Sequence, residues 1–169
     1  MKALNTFIIA LILGCSSLAQ ADTASDQFEV MQLINRYTWG VDTLDKAVFE
    51  EVFLPDATAH YIGVGADAID LDDRLEGIDA IYAWIVKGVG HRKGHDGLPW
   101  HFVSNHIVTL NGDQAKLTAY MHNRVLAAGG VYYVDAVKTP DGWRIKHLKL
   151  EEQTWNKDYY KNAPHKNVN

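Results

Sequence analysis

The half of the chain that follows Pro99 consists of four runs rich in β-branched and aromatic residues, 100–110, 114–126, 131–139 and 143–152. The breaks between them are Asn111-Gly112-Asp113, Gly129-Gly130 and Pro140-Asp141-Gly142. Such breaks supply the backbone conformations of tight hairpin turns, so successive runs fold back on one another as an antiparallel meander. A meander has a face that must be covered, and the preceding half of the chain supplies the cover. Residues 22–39 read as an amphipathic helix in which Phe28, Met31, Leu33, Ile34 and Tyr37 recur at helical spacing, stopping at about Gly40. Residues 44–53 read as a second, shorter helix closed by Pro55, and 77–89 as a third with Ile78, Ile81, Tyr82, Ile85 and Val89 on one face. A strand at 57–64 and an acidic loop or hairpin return at 67–74 separate the second helix from the third. Helices first and an antiparallel sheet afterwards define an α+β fold. A strongly curved antiparallel β-sheet wrapped around the N-terminal helix pair would leave a dead-end pocket between them. The polar, glycine-punctuated stretch 91–99 has two readings, a mobile flap over that pocket or a solvated connection.

The first 21 residues read as a processing segment. Lys2 forms a minimal positive region, Phe7 to Leu13 an apolar run too short to span a bilayer, and Ala19-Gln20-Ala21 a small-x-small cleavage site before Asp22. The expected organisation is a signal peptide over 1–21, one domain over 22–155 and a tail over 156–169. An exported protein, periplasmic or secreted, follows. A rival cut exists in Ile12-Leu13-Gly14-Cys15, which loosely resembles a lipobox and would leave a lipid-anchored Cys15. Cys15 is the only cysteine, so cleavage at Ala21 leaves a chain without disulfides, thiol catalysis or cysteine metal sites. The formal net charge is −5 and no basic stripe occurs, which argues against a nucleic-acid partner.

One acid lacks a local explanation. Asp42 follows an apolar run containing Leu33, Ile34, Tyr37 and Trp39 and falls in the expected joint between the first two helices. Either it caps the following helix, or it points inward and needs a partner. A histidine is the natural partner, because a carboxylate holding one imidazole nitrogen makes the other an effective general base. In the strand Trp100-His101-Phe102-Val103-Ser104-Asn105-His106, strict alternation puts His101, Val103 and Asn105 on one face and His106 on the other.

Several short motifs carry a resemblance. Gly40-Val41-Asp42, Phe49-x-x-x-Phe53-x-Pro55-Asp56-Ala57, His101-Phe102-Val103-Ser104-Asn105, Asn111-Gly112-Asp113-Gln114-Ala115, Gly130-Val131-Tyr132-Tyr133 and Asp141-Gly142-Trp143-Arg144-Ile145 occur in this order. Together they resemble the SnoaL-like branch of the nuclear-transport-factor-2-like superfamily, with scytalone dehydratase, lindane dehydrochlorinase and the bile-acid dehydratases as the nearest likenesses. The resemblance spans about Asp26 to Trp155. It implies a cone whose pocket is lined by the inner face of the sheet, with a catalytic Asp at the place of Asp42 and a catalytic His at that of His101. It further implies that Tyr61 polarises the substrate through water and that Tyr133 lines the pocket. The second catalytic His of scytalone dehydratase falls at Met121, with His122 facing the other side unless the strand bulges. The Lys of the dehydrochlorinase falls at Tyr37, which removes assistance to a halide.

The function expected is a cofactor-independent lyase or isomerase of dehydratase type. Asp42 and His101 would catalyse, and Tyr37, Tyr61, Trp84, Asn105, Met121 and Tyr133 would bind a small hydrophobic cyclic substrate. The alternative is a non-catalytic ligand-binding or assembly module of the same fold. No cofactor and no metal are expected; His91 and His95 have ligand-like spacing without an evident third donor. Trp39, Trp84, Trp100 and Tyr132 are expected in the core or pocket wall, Glu151 and Glu152 on a solvated rim. The expected assembly is a homodimer or homotrimer.

Overall fold

The structure, a computed structural model, describes residues 2–65, 68–90, 99–156 and 158, with side chains from Thr23 onward. The side chains of residues 1–22, the stretch 91–98 with its His91 and His95, for which a flap or a solvated connection was expected, and nearly all of 156–169 lie outside the described residues. The elements run α1 (Lys2–Thr43), α2 (Lys46–Val52), β1 (Phe53–Gly63), β2 (Asp72–Glu76), α3 (Ile78–Val89), β3 (His101–Asn111), β4 (Gln114–Asn123), β5 (Ala128–Thr139) and β6 (Gly142–Thr154). One curved, unclosed sheet has the order β2-β1-β6-β5-β4-β3. The meander β3 to β6 is antiparallel as the turn signals require. The expectation of an all-antiparallel sheet is corrected at one place, since β1 pairs with β6 in parallel, Tyr61 opposite Leu150. A parallel pair needs a long crossover, and everything from β2 to β5 serves as that crossover.

α1 lies on the concave face through Val30, Leu33, Ile34, Tyr37 and Val41, all buried, which fall on one side of a helix. Phe28 and Trp39 stand off that stripe and are 60% and 57% exposed, so neither belongs to the core. The helix does not stop at Gly40. A Cβ there would come within 3.1 Å of Phe49 and Val48, so the glycine permits the close crossing of α1 and α2. The stop is Leu44, whose φ of 52° places it in the left-handed region, with the Asp45 N–H donating back to the Gly40 carbonyl at 3.2 Å. This is the six-to-one bond of a Schellman ending. Asp45, not Asp42, is the N-cap of α2, accepting from the Ala47 N–H at 3.0 Å.

Gly129 and Gly130 are not a turn. Both lie inside β5, paired with β4 and β6, and the chain reverses over 124–127, where Leu126 has φ of 53°. A Cβ at 129 would lie 2.2 Å from the Trp155 ring, and one at 130 would lie 2.2 Å from the Glu151 carbonyl oxygen. Close approach selects glycine here. We expect Gly130→Ala to lose about 1–3 kcal/mol of stability in urea unfolding, the scale of an overpacked interior. Gly88→Ala, in α3 with no atom near the added methyl, gains about 0.5–1 kcal/mol from helix propensity.

Candidate active site

Asp42 sits in the last turn of α1, where the helix presents unsatisfied carbonyls and a partial negative charge that is unfavourable for a carboxylate. The start of β3 compensates it. Oδ2 of Asp42 accepts the backbone N–H of Trp100 at 2.8 Å and of His101 at 3.1 Å, while Oδ1 lies 2.5 Å from His101 Nδ1. Burial alone would raise the Asp42 pKa. The hydrogen bond and charge of His101 and the two backbone donors outweigh burial and hold it below the ordinary 3.8. With Nδ1 engaged, Nε2 is the ring nitrogen left for a bound molecule. The carboxylate thus sets both the tautomer and the direction of the imidazole.

His101 opens onto a cavity of about 550 Å³, counted out to its mouth. α1 contributes Tyr37 and Val41, α3 contributes Trp84, Ile85 and Val89, and the sheet contributes Tyr61, Met121, Asn123, Tyr132, Leu150 and Glu152, with Trp100 beside the histidine. The Tyr37 and Tyr61 hydroxyls are 2.9 Å apart. Tyr61 also stacks on Trp84 at 4.1 Å between ring centroids and 7° between planes, and the Trp84 indole N–H donates to Asp73 at 2.7 Å. Burial pushes the pKa values of Tyr37, Tyr61 and Tyr132 upward, so all three remain protonated donors at neutral pH.

Of the residues expected to bind substrate, Tyr37, Tyr61, Trp84 and Met121 line the cavity; Tyr133 and Asn105 do not. Tyr133 is on the convex face, 39% exposed, with its hydroxyl donating to Glu151 at 3.3 Å. The adjacent Tyr132 is the inward one because strand residues alternate faces. The same parity turns Glu152 into the cavity, away from the expected rim. Asn105 has φ of 55° and forms a bulge between Ser104 and Ile107, a conformation that Asn tolerates better than most residues. The extra residue resets the alternation. Ile107 is therefore 68% exposed, and His106 turns to the helix side like His101, its Nε2 3.1 Å from Asn35 Oδ1. The expectation that the two histidines point oppositely fails on this bulge. Burial lowers the His106 pKa, favouring the neutral ring. His122 lies outside the cavity, stacked on Phe102 at 5.3 Å. No cluster of three or more metal-ligating side chains occurs among the described residues.

The chain belongs to the SnoaL-like domain family, which matches residues 22–149. It is 31% identical over 143 residues to the uncharacterized protein Rv2910c of Mycobacterium tuberculosis, covering 79% of this chain and 89% of that one. Its fold is shared by an NTF2-like protein with a cystatin-like fold from Novosphingobium aromaticivorans, with a TM-score of 0.61, 22% identity and coverage of 86% and 92% of the two chains. A protein with a cystatin-like fold from Nostoc punctiforme matches with a TM-score of 0.61 and 17% identity over 79% of this chain and 95% of that one.

Because the folded Asp42 pKa is depressed, its stabilisation is complete above pH 3.8 and is lost as pH falls through the lower folded value. Asp42→Asn should cost about 2–3 kcal/mol at neutral pH, the scale of hydrogen bonds to a buried charge. The measurement is denaturant unfolding from pH 7 downward, with the difference between wild type and variant shrinking only in the acid range.

Proposed function

We propose that the cavity is the active site of an exported, cofactor-independent lyase or isomerase acting on a small cyclic ketone. The observation that carries this is the 2.5 Å contact between Asp42 Oδ1 and His101 Nδ1 at the wall of an aromatic-lined cavity. Nε2 of His101 removes a proton from the carbon next to the carbonyl, and Asp42 stabilises the imidazolium that forms. Charge then develops on the carbonyl oxygen, where a phenol of the Tyr37–Tyr61 pair donates a hydrogen bond. One hydroxyl of that pair donates to the other, so one proton remains for the substrate. In an elimination the electron pair of the broken C–H bond forms the double bond and expels a β-hydroxyl, which leaves as water with the proton from His101. In an isomerisation the same proton returns to a different carbon. The Met at 121 supports a one-histidine scheme, since no second imidazole lines the cavity among the described residues.

The test is a panel of hydroxylated cyclic ketones, followed by NMR for product and for exchange of the α-proton with deuterated solvent. His101→Gln and Asp42→Asn are expected to lower both rates by about 10²–10⁴-fold. Tyr61→Phe is expected to lower them by about 10²-fold, the loss of one donor to the developing oxyanion. If no compound turns over or exchanges, and ligands raise the melting temperature of wild type and both dyad variants equally, the protein is a binding module.

A further inference from the structure

Tyr37, Tyr61 and Tyr132 all line the cavity, but their hydroxyls are not equivalent. Those of Tyr37 and Tyr61 meet at 2.9 Å and satisfy each other. Tyr132 is only 3% exposed, yet its hydroxyl has no hydrogen-bond partner among the described residues. The register of the sheet explains this. In its row Tyr132 stands between Ala119 of β4 and Leu150 of β6, and the residues before and after it on the inward face of β5 are Gly130 and Val134. None of these four carries a polar side chain. Tyr37 meets Tyr132 ring against ring, edge-on with 5.8 Å between centroids, and not through oxygen. A hydroxyl buried without a partner is costly, and one in a native interior calls for an explanation. Phenylalanine would fill the same space without that cost.

Burial, and after it the nearby Tyr61, Glu152 and Asp42, raise the Tyr132 pKa, so the hydroxyl keeps its proton at neutral pH. It lies within electrostatic range of both the tyrosine pair and the Asp42–His101 dyad. We propose that the Tyr132 hydroxyl donates a hydrogen bond to an acceptor oxygen of the bound ring, as a second donor beside the Tyr37–Tyr61 pair. That pair uses one of its two protons internally, so Tyr132 raises the donors facing the ligand from one to two. A carbonyl oxygen has two lone pairs and no proton of its own to place, which makes it the group that takes both. When the α-proton leaves for His101, charge gathers on that oxygen and both bonds strengthen. This rests on the reading of the cavity as a ligand site but not on proton transfer at His101.

The experiment pairs cyclohexanone with methylenecyclohexane, which has nearly the same shape and no acceptor oxygen, and measures both affinities by titration NMR on wild type and Tyr132→Phe. The variant keeps the ring and loses only the oxygen. Cyclohexanone should bind about two- to tenfold more weakly to the variant, the range of one neutral hydrogen bond, while methylenecyclohexane binds at least as tightly as before. Without ligand, the urea midpoint of Tyr132→Phe should stay level or rise, because no protein hydrogen bond is lost. Tyr37→Phe, which breaks the pair, should lower it. Equal changes for the two probes overturn the proposal, and so does a lowered urea midpoint of Tyr132→Phe or a wild type that binds neither probe. Exchange of the cyclohexanone α-protons with deuterated solvent is followed in the same samples. Where it occurs, Tyr132→Phe should lower kcat by about 10²-fold, with KM rising no more than the affinity falls. Selective loss of ketone affinity without any exchange keeps Tyr132 as the donor and removes the lyase or isomerase reading. Exchange at the wild-type rate in Tyr132→Phe, with both probes affected alike, does the opposite.

Discussion

The structure turns on a carboxylate placed where a helix end disfavours it. Asp42 at the C-terminus of α1 faces carbonyl dipoles, and it is held there by two backbone N–H groups and one imidazole from the start of β3. That single side chain joins the covering helix to an edge strand of the sheet. It also fixes the imidazole at the cavity wall, so the anchor of the fold and the candidate base of the site are the same contact. Removing that side chain would take the acceptor from both backbone N–H groups and the carboxylate from the imidazole at once.

Around that anchor the cavity is shaped by three departures from regular structure. The left-handed Leu44 ends α1 one turn later than Gly40 would have, which carries Asp42 inward on helical backbone. The bulge at Asn105 lets β3 begin with His101 facing the cavity and still turn His106 to α1, where Asn35 meets it. The glycines at 129 and 130 let β5 run between β4 and β6 without a side chain where Trp155 and the β6 backbone come close. Each departure sits beside the site, and each trades local propensity for placement of a side chain.

Much of the architecture was legible from residue pattern. The turn signals at 111–113 and 140–142, the helical spacing of Leu33, Ile34 and Tyr37, and the amphipathic run at 78–89 report short-range geometry, which neighbouring residues determine. Asp42 and His101 were legible as candidates because their motifs occur in order along the chain. Tyr133 was expected to bind substrate where its neighbour Tyr132, expected in the core or pocket wall, lines the cavity, and Glu152 was expected on the rim together with Glu151. An error of one reverses the face of a strand side chain, and with Tyr132 and Tyr133 adjacent the residue types alone do not say which faces inward. The buried neighbours Val134 and Ala136 on one strand and Leu148 and Leu150 on the other offered a clue, since they share the parity of Tyr132 and Glu152.

The sequence by itself determined the α+β class, the meander and the chemistry available, because periodicity and turn residues act over a few positions and the titratable groups are simply present or absent. Only the tertiary structure decided which groups meet. The 2.5 Å contact of Asp42 with His101 spans 59 positions, and the parallel pairing of β1 with β6 joins strands with most of the chain between them. Contacts of that range are set by how the sheet curves and where its bulges fall, and those are properties of the packed whole.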